Sequence, residues 1–155
     1  MSNPLSKLLL IGYGNPGRLD DGLGPALAAK VEKASLEGMT VESDYQLTVE
    51  DACDVSKHTM VIFADATVKG KEPFFFEEIH SKSPMSLSTH SVSPEAVLYF
   101  AEKMFNSKAR AYILGIRGYE FNEFEERLSE EAQKNLDEAF KFITKLVELG
   151  SPDIA

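Results

Sequence analysis

Three stretches of the chain combine residue types that can do metal or acid–base chemistry. Asp20 and Asp21 follow the first predicted strand, and Asp65 ends the third. His90 lies in the loop 87–91, just before a predicted helix. Two carboxylates and an imidazole are suitable ligands for a divalent ion of borderline softness, such as zinc or nickel. Because ligands of open α/β sheets bind at the carboxyl ends of the strands, we expect these stretches to meet at one edge.

Each of these residues also has a purely structural interpretation. Asp21 directly precedes a predicted helix, where an acidic cap is ordinary because the helix dipole favours negative charge. Asp65 fits a cap at a strand end, and His90 fits a polar loop residue. Their shared position after successive strands, rather than any one of them, favours a functional site.

Apolar runs alternate with amphipathic segments along the chain, which is typical of a mainly parallel sheet with helices on both faces. Strands are predicted where short apolar runs end at glycine or at polar residues. The predicted strands are 7–13, 39–46, 59–64, 74–80 and 110–116. The fourth of them is expected nearer an edge of the sheet.

Helices are predicted from apolar spacing and from capping residues. The first covers 22–36, and a short second helix opens at Thr48, where Asp51 completes a capping-box pattern. Ser93 and Ser129 are the expected N-caps of two further helices. Together with the strands, these helices predict a three-layer αβα architecture with five strands.

Length and composition restrict the class of protein. With 155 residues and 43% hydrophobic content, we expect one domain over 1–155, with loose tails at 1–6 and 150–155. The formal net charge of −9 argues against nucleic acid as a partner. The single cysteine excludes an internal disulfide framework, and no apolar run is long enough to span a membrane. A cytoplasmic protein is expected, and a monomer rather than an oligomer.

The turn after the first strand also matches a nucleotide-binding fingerprint. Gly12, Gly14 and Gly17 satisfy the pattern G-x-G-x-x-G, with Asn15 and Pro16 between the last two. The acidic pair that follows would bring negative charge close to a bound pyrophosphate. Pro16 also lacks the backbone N–H that such a turn uses. A dinucleotide site is therefore an alternative that the glycine pattern supports only weakly.

Two aromatic groups have open interpretations. The phenylalanines at 74–76 either pack in the core or contact a partner. Phe121 and Phe124 lie among glutamates in the predicted loop 118–128. That loop is either simply solvated or meets a basic surface of a substrate.

Taken in order, these stretches resemble the hydrogenase maturation endopeptidases. Residues 8–24 (LLLIGYGNPGRLDDGLG) are similar to the opening of that family, which has a strand, a G-x-G-N turn and an acidic pair before the first helix. Residues 63–66 (FADA) resemble its aspartate at the end of the third strand, and 88–91 (STHS) its histidine loop. Residues 115–119 (GIRGY) resemble its closing strand. The resemblance covers nearly the whole chain.

The resemblance implies an αβα endopeptidase that removes a short C-terminal extension from the large-subunit precursor of a [NiFe] hydrogenase after nickel insertion. It implies a metal-contacting site of Asp21, Asp65 and His90, with the nickel supplied by the substrate. Many members have glutamate at the first position, so which of Asp20 and Asp21 points into the site stays open. Glu50 is a further candidate, although an exposed helix face explains it equally well.

Two other functions compete with this one. The segment 11–17 also resembles the opening of peptidyl-tRNA hydrolases, but the histidine–asparagine pair of that family is replaced here by Leu19-Asp20-Asp21-Gly22. A non-cleaving chaperone for the same hydrogenase subunit is the second alternative. The chain has neither H-E-x-x-H nor G-x-S-x-G, so it shows no signature of a thermolysin-like protease or of an α/β-hydrolase.

Overall fold

A five-stranded sheet forms the centre of the fold within residues 8–84 and 92–150, the part of the chain that the computed structural model describes. The strands are β1 (Leu8–Tyr13), β2 (Met39–Asp44), β3 (Met60–Thr67), β4 (Phe74–Ile79) and β5 (Arg110–Arg117). Their order is β2-β1-β3-β5-β4, and only the β4–β5 pairing is antiparallel. The predicted mainly parallel, five-stranded sheet is confirmed, with the fourth strand at an edge.

Four helices cover the two faces of the sheet within the same ranges. They are α1 (Leu23–Ala34), α2 (Asp51–Ser56), α3 (Pro94–Phe105) and α4 (Glu130–Leu149). α1 and α4 pack on one face, and α2 and α3 pack on the other. This arrangement is the three-layer αβα architecture that the sequence predicts. No helix in the described ranges is long and apolar enough to cross a membrane.

β1 is buried on both faces because it lies inside the sheet. Leu8 and Leu10 belong to the core beneath α1 and α4, whereas Leu9 and Ile11 belong to the core beneath α2 and α3. All four are at most 1% exposed. Side chains alternate along a strand, so Tyr13 continues the second face and packs against that core.

Capping residues set the start of the two long helices in the second half of the chain. The Ser93 hydroxyl accepts a hydrogen bond from the Ala96 N–H at 3.1 Å, at the start of α3. The Ser129 hydroxyl accepts one from the Ala132 N–H at 3.2 Å, at the start of α4. Both predicted N-caps are confirmed. They are predictable from the sequence because the capping hydroxyl and the N–H that it accepts are only three residues apart.

Some boundaries differ from the predicted ones. β3 continues to Thr67, three residues past the predicted end at residue 64, since its pairing with β5 extends to Thr67 opposite Arg117. α2 begins at Asp51 rather than Thr48, although the Asp51 carboxylate accepts the Thr48 N–H at 2.8 Å as the capping box predicts. A neighbouring strand decides how far β3 runs, and local sequence does not contain that information.

The three phenylalanines of β4 contribute to the core rather than lying free on an edge. Phe76 stacks on Tyr112 with ring centroids 4.9 Å apart, and the Phe142 ring of α4 lies 4.8 Å away. Phe74 contacts the same Phe142 ring at 5.1 Å. Phe75 packs over Gly115 of β5, where a larger residue would collide with its ring. Core packing therefore accounts for this apolar run.

The connectivity places a crevice between the ends of β1 and β3. β2 and β3 flank β1 on opposite sides, with α1 and α2 on opposite faces of the sheet. Such a topological switch point is where doubly wound sheets bind ligands. Tyr13 ends β1 at this point, and Asp65 lies close to the end of β3.

Candidate active site

The turn that follows β1 holds the Asp21 carboxylate in place. The Asn15 N–H donates to Asp21 Oδ2 at 2.9 Å, and Asn15 Oδ1 accepts the Gly17 N–H at 2.9 Å. Gly14 has a φ of 142° and lies against the Asp21 carbonyl oxygen, so any side chain there would collide with it. Asp21 sits in a 3-10 turn over Leu19–Gly22 and is half-buried.

Asp65 lies one residue beyond the last β1 partner of β3 and faces the same side of the sheet as Tyr13. Burial raises the pKa of Asp65 to about 6; the Ala66 N–H lowers this pKa, the negative charge of Asp21 raises it and the Tyr13 hydroxyl lowers it. Asp21 and Asp65 therefore form a pair of carboxylates whose negative charges repel each other. A cation placed between them would relieve that repulsion.

Tyr13 is a partner of Asp65 that the sequence analysis did not single out. Burial, followed by the charge of Asp65 and its hydrogen bond, raises the pKa of the Tyr13 hydroxyl above its usual value. The hydroxyl therefore stays protonated and donates to the Asp65 carboxylate. The sequence gives one signal for this contact. Tyr13 is the last residue of β1, and Tyr13 and Asp65 each follow directly after the last paired residues of β1 and β3.

The N-terminus of α3 approaches the same crevice. The charge of Glu95, in its first turn, is close enough to Tyr13 to raise the pKa of that hydroxyl. The Val92 N–H, ahead of the helix, donates to the Leu47 carbonyl oxygen at 3.4 Å. His90, the third predicted ligand, lies outside the described residues. The described part of the site therefore consists of Asp21, Asp65 and Tyr13.

Asp20 points away from this pair and is fully buried. Its carboxylate accepts four hydrogen bonds from the loop before α4, over 2.7–2.9 Å. The donors are the N–H groups of Tyr119, Glu120 and Ser129 and the Ser129 hydroxyl. Burial alone would raise the pKa of Asp20, but these bonds together hold it below its usual value. All four bonds tie the Asp20 turn to the loop before α4 and so stabilise the fold. Asp21 is therefore the acid of this turn that neighbours Asp65.

A second acidic group lies between β2 and α2. Oxygens of Glu42, Asp51 and Asp54 approach within 4.8 Å of one another. Burial and then the Asp54 charge raise the pKa of Glu42, and burial raises that of Asp51. Glu50, named by the resemblance, is exposed at the start of α2, and its charge acts on Asp51 rather than on Asp65.

Two adjoining cavities form a groove on the outer side of the Asp21 turn. One, of about 300 Å³, lies between Pro16, the first half of α1 and residues 126–128. The other, of about 250 Å³, lies between Gly14, Pro16, Pro25 and residues 43–45. Since both contain Pro16 and Pro25, we treat them as one surface, the α1 groove. It reaches the Asp21 turn through Gly14 and Gly22, and neither Asp21 nor Asp65 lines it.

The turn lacks the free donors of a dinucleotide site. The N–H of Asn15 is used by Asp21, and that of Gly17 by the Asn15 side chain. Gly12 serves a packing purpose, because a Cβ there would collide with the carbonyl of Gly24 in α1. The glycine pattern is therefore explained by close packing of α1 on β1 and by the position of Asp21, without a phosphate.

Comparison with known proteins relates the fold to hydrogenase maturation proteases. No protein-family model and no curated protein sequence matches the chain. Among solved structures, the [NiFe] hydrogenase maturation protease HycI from Thermococcus kodakarensis KOD1 superposes with a TM-score of 0.71 at 19% identity, covering 92% of this chain and 93% of that one.

Two further structures show the same similarity. The hydrogenase 2 maturation peptidase from Thaumarchaeota archaeon SCGC_AB-539-E09 has a TM-score of 0.68 at 20% identity, over 92% of this chain and 99% of its own. The hydrogenase maturating endopeptidase HybD from E. coli has a TM-score of 0.64 at 17% identity, over 93% and 94%. These values show that the chain shares the fold of those proteins over almost its full length.

Proposed function

We propose that this protein is an endopeptidase that removes the C-terminal extension of a [NiFe]-hydrogenase large-subunit precursor, in the cytoplasm and after nickel has entered the precursor. The observation that carries the proposal is the pair of mutually repelling carboxylates, Asp21 and Asp65, at the switch point between β1 and β3. The fold shared with maturation proteases over 92% of the chain supports it. The quoted sequence motifs support it independently.

The described residues fit a divalent metal as an incomplete set of ligands. Asp21 and Asp65 supply two carboxylates, whose oxygens bind nickel or zinc, and their mutual repulsion favours a cation between them. The resemblance adds the His90 imidazole as a third ligand. A nickel ion that arrives in the precursor brings ligands of its own, so a weak resident site is what this reaction needs.

The chemistry of the chain's own groups follows from their ionisation. In the metal-free protein Asp65 has a pKa of about 6, so its carboxylate is mostly ionised at neutral pH and is available to take a proton. We assign to it the proton of the water that attacks the scissile carbonyl carbon. That proton then passes to the amine that leaves when the carbon–nitrogen bond breaks. The Tyr13 hydroxyl orients the Asp65 carboxylate by its hydrogen bond.

A cleavage assay tests the proposal directly. The protein is mixed with nickel-loaded precursor and with the same precursor lacking nickel, and the precursor C-terminus is followed by mass. Loss of a short tail only in the nickel-loaded sample is the expected result. Asp65→Asn should lose the activity, whereas Glu148→Gln, which alters an exposed carboxylate on α4, should retain it.

Other outcomes lead to specific alternatives. Cleavage that is independent of nickel would retain the endopeptidase and remove the metal requirement. Binding of the nickel-loaded precursor without any cleavage, unchanged in Asp65→Asn, would point to the non-cleaving chaperone. If the protein neither binds nor cleaves the precursor, the proposed function is refuted.

A further inference from the structure

One loop of the protein presents an aromatic side chain to solvent next to the candidate site. The segment 119–127, here called the acidic loop, contains Phe124, which is 85% exposed and is the most exposed large apolar residue described. The other phenylalanine of the loop, Phe121, packs on Gly118. A large aromatic side chain in water forgoes about 2 kcal/mol of burial energy, so the contrast between these two residues needs an explanation.

The acidic loop is fastened to the turn that carries Asp21. The Arg18 guanidinium donates to the Phe121 carbonyl at 2.9 Å, and the Leu19 N–H donates to the Glu125 carbonyl at 3.0 Å. The Asp20 N–H donates to the Glu120 carbonyl at 2.9 Å, in addition to the bonds that the loop makes to the Asp20 carboxylate. These bonds fix the place of Phe124 relative to the candidate site, as a docking element requires.

The charge of the loop is negative and only partly compensated. It contains four glutamates and one arginine, Arg127. Arg127 pairs with Glu125 at 2.9 Å and with Glu120 at 3.7 Å. Glu123 and Glu126 form no ion pair within residues 8–84 and 92–150. An exposed aromatic ring flanked by two such carboxylates fits a surface that is both apolar and basic.

The α1 groove continues this surface to the turn that holds Asp21. Its larger cavity begins at Glu126 and Leu128 and passes over Ala26 and Ala29 of α1 to Pro16. The adjoining cavity reaches Gly14, which contacts the Asp21 backbone, and ends at Asp44 and the 67% exposed Tyr45. The groove is therefore apolar along its floor and carries carboxylates at both ends.

We infer that the acidic loop and the α1 groove form the docking surface for the precursor, and that they bind it through a basic segment bearing at least one large apolar side chain. This inference rests on the proposed function, because it takes the precursor as the occupant. Charge complementarity supports that choice, since a second copy of this chain, with its net charge of −9, would bring like charge to the loop.

The test measures binding separately from cleavage. The Asp65→Asn protein, which is expected not to cleave, serves as background, and its affinity for nickel-loaded precursor is measured by titration calorimetry at two salt concentrations. Adding Phe124→Ser should weaken binding about tenfold, as for an aromatic contact at an interface centre. Adding Glu123→Lys and Glu126→Lys together should weaken it by a similar factor and reduce its salt dependence.

Matched controls come from the opposite end of the sheet. Met104→Ser removes an apolar side chain that is 58% exposed on α3, and Glu148→Lys reverses an exposed charge on α4. Neither control should change the affinity by more than about twofold. Thermal unfolding of all variants should match the background, because Phe124 makes no core contact to lose.

Different results would refute the proposed function and the proposed docking surface. If neither the wild-type protein nor the background protein binds the precursor, the proposed function fails. If it binds and the loop variants bind equally well, the docking surface is refuted while the proposed function stands. Self-association that disappears in Phe124→Ser, with precursor affinity unchanged, would identify a second copy as the occupant and would also refute the inference.

Discussion

Two adjacent aspartates of one turn have opposite surroundings. Asp20 is fully buried and accepts four hydrogen bonds from the loop before α4. Asp21 is half-buried, accepts one backbone hydrogen bond from Asn15 and lies close enough to Asp65 to raise its pKa. The comparison shows that two adjacent carboxylates of one turn differ in how many donors the fold directs at them, which favours a structural role for Asp20 and leaves Asp21 as the candidate site residue. A carboxylate whose oxygens already accept hydrogen bonds from the fold has few lone pairs free to bind a metal or a substrate.

Removing the Asp20 carboxylate should give the largest change in stability. Asp20→Ala leaves four donors without their acceptor, two of them buried, and we expect a loss of roughly 3 kcal/mol or more in the free energy of unfolding. Asp21→Ala should cost less than about 1 kcal/mol, since one part-buried bond is lost. Urea unfolding at pH 7.5 measures both, and equal losses would contradict the distinction drawn between the two acids.

The stability difference between wild type and Asp20→Ala should depend on pH. Because the folded state lowers the pKa of Asp20, its ionised form stabilises the protein above the ordinary aspartate pKa of about 3.9. That contribution disappears as the pH falls through the lowered pKa. The difference between wild type and Asp20→Ala should therefore shrink in acid. A difference that stays constant down to pH 2 would show that the charge of Asp20 is not what stabilises the fold.

Replacing Asp65 should have the opposite effect on stability. Its raised pKa means that the ionised form opposes folding: the favourable contribution exists below about 3.9 and is lost as the pH rises through about 6. Asp65→Asn should therefore stabilise the protein at pH 7.5 by about 1–2 kcal/mol, after allowance for partial solvent screening. Cleavage should be lost in the same variant. Unfolding at pH 7.5 and 4 measures the effect, and an equal gain at both values would contradict it.

Tyr13→Phe removes one donor to Asp65 while keeping the aromatic ring. We expect about a tenfold fall in kcat with little change in KM, as for a residue that orients a metal ligand, and a stability loss of about 1 kcal/mol. A double-mutant cycle with Asp65→Asn provides the control. Additive stability changes would mean that the two side chains do not interact.

Asp21→Glu should have the smallest effect. The longer side chain retains the charge at the rim of the site, so the free energy of unfolding should change by less than about 0.5 kcal/mol. Cleavage should remain within a few-fold of wild type, whereas Asp21→Asn should lose it. Loss of activity in Asp21→Glu would mean that the length of this side chain, as well as its charge, is required.

Much of the fold and part of the site are predictable from local patterns. The apolar run of β1, the serine caps of α3 and α4 and the alternation of strands with helices predict the αβα architecture that the structure confirms. These features depend on residues a few positions apart. The same rules place Asp21 and Asp65 at the carboxyl edge of the sheet, since strand ends follow from the same local signals.

Only the tertiary structure decided what each acid does. The donors that satisfy Asp20 come from residues about a hundred positions away in the chain, and no local spacing reports them. The position of Tyr13 beside Asp65 depends on the register of β1 against β3, and the extension of β3 past that ladder depends on β5. The sequence by itself determined which residue types reach the edge of the sheet. Long-range packing decided which of their carboxylates are satisfied by hydrogen bonds within the fold and which are not.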